Sequence, residues 1–195
     1  GFLLPAVLIC VAAQMLGLPW LLVWCLAALL RALCESPFTI AAGRAIGAAT
    51  ANLDSAWWGP MLKLPDEPRA RLLTFERALP GSIIVNQAGR RYMNEAMAYD
   101  LAGRRMVEAD MPGAGTAPSW FLFDERYRRR YPVGPLIPGI PVRLHQRGLR
   151  EILIRADSWN ALATSTGLPA AALVETIEEF NRHAAAGRDP AHGRG

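Results

Sequence analysis

Pro80-Gly-Ser-Ile-Ile-Val-Asn-Gln-Ala-Gly-Arg-Arg-Tyr-Met-Asn-Glu95 is the most ordered local pattern in the chain. Ser82 to Asn86 is a short apolar run rich in β-branched residues, which predicts a strand. Gln87-Ala-Gly89 predicts a turn, because Gly89 is free to adopt positive φ. Arg90 to Glu95 then reads as the returning strand, and Ala96 to Ala109 as a helix. Downstream, Gly and Pro at 112–118 mark a loop. Ser119-Trp-Phe-Leu-Phe123 is wholly apolar and predicts a second, buried strand. Asp124 is placed to cap a short basic helix reaching Tyr131, in which Arg126, Arg128, Arg129 and Arg130 form a solvated face. Four prolines, at 132, 135, 138 and 141, exclude regular structure there. Asp157 reads as the N-cap of a helix that Gly167 closes. Pro169 opens the last helix, with Leu173, Ile177 and Phe180 as its core stripe and its end near Gly187. Helices and strands alternate irregularly, so the fold class is α+β.

Upstream of Pro80 the chain is a Pro-rich, charged connection over 64–80. Before it, residues 40–53 are small and apolar and read as a helix, with Gly43 and Gly47 on one face. Such a face lets a second backbone or a flat ligand come close; ordinary tight helix packing is the alternative. Asp54 to Pro60 ends that helix, with Trp57 and Trp58 as buried anchors.

The chain has 195 residues, 52% hydrophobic, with 21 basic and 17 acidic side chains. That average conceals a split. Residues 1–34 hold one charge, Arg31, and all three cysteines, Cys10, Cys25 and Cys34. The body has no cysteine, which excludes a disulfide framework, a thiolate zinc site and a cysteine nucleophile there. Its net charge of +3, with arginines dispersed along the chain, is no nucleic-acid footprint. The apolar content excludes disorder. Phe2 to Leu30 exceeds the ~20 residues of a membrane span, so residues 2–30 read on their own as an anchoring helix. The chain contains no GxSxG, HExxH, phosphate loop or GxGxxG pattern. His145, His183 and His192 are scattered without ligand spacing, so no metal site is expected.

Four phrases occur together and in order: Gly47-Ala-x-x-Ala-Asn-x-Asp-x-Ala-Trp-Trp58; Pro80 to Glu95 with Tyr99; Ala156-Asp-Ser-x-x-x-Leu-Ala163; and Thr176-Ile-Glu-Glu-Phe-Asn-Arg182 continuing to Asp189 and Gly193-Arg194. As a set they resemble the flavoprotein family that includes 3-ketosteroid dehydrogenases and the flavoprotein subunits of fumarate reductase and succinate dehydrogenase. The resemblance covers about residues 40–195. It implies FAD as cofactor, with Gly43, Gly47 and Ala48 near it. Residues 39–74 would be the end of the FAD-binding domain and a linker, and 75–195 the capping, catalytic domain. Fumarate reductases carry an arginine three residues after the Glu of the Asn-Glu pair, where this chain has Ala98. Ketosteroid dehydrogenases carry a tyrosine one residue later, and Tyr99 stands there. The resemblance therefore implies a 3-oxosteroid 1-dehydrogenase-like enzyme with Tyr99 as its catalytic group. Its substrate would be an apolar ketone such as a steroid. Asn94 and Glu95 are expected to hold the turn and helix start rather than to react. The match breaks at Pro37-Phe38-Thr39, where the family has a Gly-Asp-Gly loop. Residues 1–38 are therefore expected to be foreign to the enzyme and the enzyme cytoplasmic, with a membrane-anchored, non-catalytic module as the rival. The whole reads as a middle fragment, expected to neither hold FAD tightly nor turn over alone.

Overall fold

The structure, a computed structural model, describes residues 37–51 and 56–194. The chain divides into two units, Gly1–Ala56 and Trp57–Gly195. The apolar head, including the span considered at 2–30, lies outside the described residues. Among those described, no helix is long and apolar enough to cross a membrane.

In the first unit, α1 (Pro37–Ala45) is shorter than the expected helix over 40–53. It ends because Gly47 turns left-handed, at φ 84°. The Gly47 N–H donates to Arg44 O at 3.1 Å, and the Ala48 N–H to Gly43 O at 2.9 Å. That pair of bonds is the Schellman cap, in which a glycine past the helix end satisfies the last carbonyls. Gly43 is thus inside the helix and Gly47 beyond it, so the two do not share a face. The expected terminator at Asp54 and Ser55 lies outside the described residues.

The second unit is built on one hairpin of distant strands. β1 (Met61–Leu62) and β2 (Arg71–Leu72) make a minimal antiparallel pair, β2 falling within the stretch over 64–80 expected to be a plain connection. A single 3₁₀ turn, Glu76–Ala78, leads into β3 (Ser82–Val85). Next come α2 (Tyr99–Glu108), β4 (Trp120–Phe123) and α3 (Glu125–Arg130). They are followed by α4 (Arg147–Ile152), α5 (Trp159–Thr166) and α6 (Ala170–Ala185). β3 pairs antiparallel with β4, Ser82 opposite Phe123 and Val85 opposite Trp120. Successive strand residues face opposite sides. Ile83 and Val85 therefore join Leu122, Ala163, Leu168, Leu173 and Ile177 in a core against α5 and α6. Ile84 faces the other way, with Tyr92, Met93 and Ala102 against α2. A third cluster, Leu64, Leu73, Tyr127, Val133, Leu136 and Leu149, fills in beneath the proline-rich stretch.

Several local expectations hold. Gly89 has φ 72° and Gly167 φ 74°. Asp124 Oδ1 accepts the Tyr127 N–H at 2.7 Å and starts α3. Others fail for identifiable reasons. The N-cap of α5 is Ser158, whose Oγ accepts the Ala161 N–H at 3.2 Å, not Asp157. Only Leu122 of β4 is buried outright, because a two-stranded sheet leaves its flanks partly open. Trp57 and Trp58 are 81% and 42% exposed rather than buried: within this unit their segment packs through its backbone against Gly103.

The returning strand at 90–95 does not form. Asn86 Oδ1 accepts the N–H groups of Ala88 and Arg90, at 3.1 and 2.9 Å, and bends the chain away. The free edge of β3 is closed by side chains instead. The Glu95 carboxylate accepts the Ile84 N–H at 3.1 Å, and Arg194 Nη1 donates to Ser82 O at 2.6 Å. These groups hold the places that a paired strand would take. Glu95→Ala leaves the Ile84 N–H and buried arginine charge without a partner. We expect it to cost about 3–5 kcal/mol, the range for breaking a buried ion pair, read as a lowered urea midpoint at unchanged slope.

Candidate functional site

Tyr99 stands at the first position of α2, directly after a tightly held turn. In that turn Asn94 Oδ1 accepts the Ala96 N–H at 2.8 Å, and Asn94 Nδ2 donates to Gly193 O at 3.0 Å. The Met97 N–H donates to Asn94 O at 3.2 Å. Arg77 Nη1 donates to the Glu95 carbonyl. Asn94 and Glu95 thus organise the helix start, as expected. The Tyr99 ring is half-buried and lies against the exposed indole of Trp57, ring centres 5.9 Å apart and planes 31° apart.

The other buried tyrosines are committed elsewhere. The Tyr92 hydroxyl shares a hydrogen with Ser119 Oγ at 2.8 Å, and burial pushes its pKa up to about 12. The Tyr127 hydroxyl donates to Glu76 O at 2.7 Å, and burial raises its pKa as well. Both are locked in the core as neutral phenols. Tyr99 keeps a solvent-facing side and an aromatic neighbour, which suits a group that must meet a flat ligand.

Behind the turn lies a network of buried charge. Arg91 grips Glu95 with Nε–Oε1 at 2.9 Å and Nη2–Oε2 at 2.7 Å. It also grips Asp189 with Nη1–Oδ1 at 3.0 Å and Nη2–Oδ2 at 2.8 Å. Arg194 adds Nη1–Glu95 Oε2 at 3.2 Å and donates through Nη2 to Leu79 O at 2.7 Å. The Arg91 guanidinium sits 4.6 Å from the centre of the Phe180 ring, so α6 closes the network from one side. Asp189 and Arg194 belonged to the quoted motif but carried no local sign of this pairing. The one readable hint was Arg91 and Glu95, two charges of opposite sign beside the apolar Tyr92-Met93.

Gly43, Gly47 and Ala48 lie in the other unit. A Cβ on Gly47 would meet nothing within 4 Å, and one on Gly43 only the Ala48 Cβ at 3.7 Å. Residues 44–51 are exposed, and Arg44 is the single charge among them. Small side chains beside accessible backbone fit the approach of a broad planar group such as a flavin. His145 is a local staple: its ring accepts the Ile137 N–H at 3.0 Å and meets Pro141 O at 3.1 Å. His183 and His192 line a cleft of about 140 Å³ beside Arg91 and Asp189. Among the described residues, no three metal-ligating side chains converge.

Residues 39–194 match the family described as FAD binding domain, and the chain belongs to it, with FAD as the family's cofactor. The 3-oxosteroid 1-dehydrogenase of Mycobacterium tuberculosis (strain ATCC 25618 / H37Rv) is 42% identical over 162 residues, covering 80% of this chain and 28% of that protein. A crystal structure of 3-ketosteroid delta1-dehydrogenase from Sterolibacterium denitrificans, in complex with 1,4-androstadiene-3,17-dione, superposes with a TM-score of 0.72 at 36% identity, over 80% of this chain and 28% of that one. The open conformation of a flavocytochrome c3 fumarate reductase is more distant, with a TM-score of 0.52 at 26% identity over 78% and 24%. The family expected from the four phrases is the family found, and the ketosteroid branch is the nearer one. The chain spans about 28% of the length of the curated relatives it matches.

The hydrogen bonds from Arg91 hold the Asp189 carboxyl down at about 2 against the opposing pull of burial. A carboxylate depressed below its ordinary value of 3.8 stabilises the fold above that value and loses the effect as pH falls toward 2. Asp189→Asn removes this contribution. Its stability is expected to be lower than the parent's at neutral pH and to change less between pH 4 and 2, checked by urea midpoints across ~pH 2–7.

Proposed function

We propose that the chain is the central part of an FAD-dependent dehydrogenase of the 3-oxosteroid 1-dehydrogenase type. The intact enzyme introduces a double bond beside the ketone of a flat apolar substrate, a steroid or a steroid-like ring ketone, and works in the cytoplasm. Residues 39–74 are the end of its FAD-binding domain and a linker, and residues 75–195 its capping domain. The observation that carries the reading is Tyr99: a half-exposed phenol on the first turn of α2, against Trp57, in a chain 42% identical to a 3-oxosteroid 1-dehydrogenase.

Bound FAD supplies the hydride acceptor. The chain's own part is to hold the substrate and move a proton. Tyr99 Oη, as the phenolate, takes a proton from the carbon beside the carbonyl and becomes the neutral phenol, or, as the phenol, donates a hydrogen bond to that carbonyl. The apolar surface of Trp57 beside it gives a flat ring system a wall to lie against. Gly43, Gly47 and Ala48 would meet the flavin by backbone, since they bring no side chain large enough to obstruct it. Ala98 favours this reading over a fumarate-reductase-like one. A methyl group in the position of that branch's arginine cannot relay a proton.

Tyr99→Phe in the full-length enzyme keeps the ring against Trp57 and removes only the hydroxyl. We expect kcat on a 3-oxosteroid to fall about 10²–10⁴-fold with bound FAD retained, measured by dye reduction and flavin absorbance. Full activity in that variant would take Tyr99 out of the mechanism. Turnover of fumarate but not of steroids by the parent would move the chain to the other branch.

A further inference from the structure

We propose that Gly59 and Gly103 are positioning residues that set the place of the Tyr99 phenol, an inference that rests on the reading of Tyr99 as the proton-handling group. Tyr99 and Gly103 are one turn apart on α2 and share a face. On that face the helix meets the main chain of Trp58 and Gly59. A Cβ on Gly103 would lie 2.3 Å from Gly59 N, 2.5 Å from Trp58 C and 2.6 Å from Gly59 Cα. All three are backbone atoms, so no side-chain rotation can relieve the clash. Gly103 is absent from the positive-φ glycines and is helical, where glycine is a poor choice for the helix itself. The close approach is what the missing side chain permits.

The same contact reaches the tyrosine. A Cβ on Gly59 would lie 2.6 Å from Leu72 Cδ1 and 3.6 Å from Tyr99 Cδ2. The Tyr99 ring therefore lies in a notch between the Gly59 main chain and the Trp57 indole, whose centre is 5.9 Å away. The turn before it is tied down by the Arg77 bond to the Glu95 carbonyl and by the Asn94 bond to Gly193 O. A methyl group at Gly103 must then be absorbed where α2 is not tied, by tilting the helix off the Trp58-Gly59 main chain. That opens the notch and moves the phenol. A displacement near 1 Å at a reacting group is enough to cost on the order of 10² in rate.

The test is a double-mutant cycle in the full-length enzyme, with Gly103→Ala and Tyr99→Phe, on a 3-oxosteroid with a dye as electron acceptor. Gly103→Ala is expected to lower kcat about 100-fold, change KM less than about threefold and keep one FAD per chain. It is also expected to raise the kinetic isotope effect on substrate deuterated at the carbons that lose hydrogen. In the Tyr99→Phe background the same change is expected to alter kcat less than about threefold, because the group it positions is gone. Equal loss in both backgrounds, or no loss in the parent, overturns the inference and leaves Tyr99 untouched. An active Tyr99→Phe enzyme overturns the underlying reading instead. If Gly103→Ala loses its flavin or aggregates, Gly59→Ala decides. Its methyl meets only the flexible end of Leu72 and the tyrosine ring, so it should fold and lower kcat about tenfold through Tyr99 alone. A Gly59→Ala enzyme with parental kcat overturns the inference.

Discussion

The Glu95 carboxylate has no exposure to solvent, and the second unit is organised around making that tolerable. Taking a carboxylate out of water carries an idealised penalty on the order of 20 kcal/mol, far more than the net stability of a domain. Every lone-pair position must then find a donor. Oε1 accepts from the Ile84 N–H and Arg91 Nε, and Oε2 from Arg91 Nη2 and Arg194 Nη1. Arg91 and Arg194 are themselves largely buried, at 6% and 10% side-chain exposure, and Asp189 balances the surplus positive charge. Charges matched this closely are no strong source of stability compared with a well-packed apolar core. Removing one member is costly, because it strands the others.

The same constraint determines the topology around the hairpin. A carboxylate on the outer edge of β3 cannot coexist with a neighbouring strand there, so the chain at 90–95 loops and β3 turns to β4, 35 residues further on, for its partner. Arg194 draws the segment after α6 back onto Ser82 of β3, 112 residues away in sequence, and Asp189 ties the same segment to Arg91, 98 residues away. One network thus ties together the hairpin, the turn before α2 and the end of the chain. The turn from which Tyr99 begins its helix is thereby tied on both sides by hydrogen bonds.

What could be read in the sequence was local. β3, the Gly89 turn, the Asp124 cap, Gly167 and the Leu173 and Ile177 stripe follow from chemistry within a few residues, and all are present. Arg90 to Glu95 has the composition of a strand, but the Glu95 side chain competes by bonding the neighbouring backbone directly. Gly43 and Gly47 at spacing four look like one face of a helix over 40–53, whereas Gly47 takes the left-handed conformation that caps α1. Trp57 and Trp58 look like core by composition alone. Nothing local says that their segment packs through its main chain onto Gly103. The proposed role of Tyr99 rests on the family resemblance, since one tyrosine after an Asn-Glu pair has no chemistry of its own.

The site also explains why tyrosine environments diverge so sharply within one small unit. Tyr92 and Tyr127 put their rings into the core and satisfy their hydroxyls there, and burial holds both in the neutral form. A phenol used in that way stiffens the fold and is useless as a proton carrier. Tyr99 is only half-buried at the first position of α2, with its ring beside Trp57 and the Gly59 main chain and its backbone on the turn that Asn94 and Arg77 hold. A reactive phenol needs both conditions: freedom at the oxygen and none at the ring. Burying it deeper would secure the ring but close off the oxygen, and a looser helix start would expose the oxygen but blur its position. The close approach of the Gly59 main chain offers a third route, because it bounds the ring from the side.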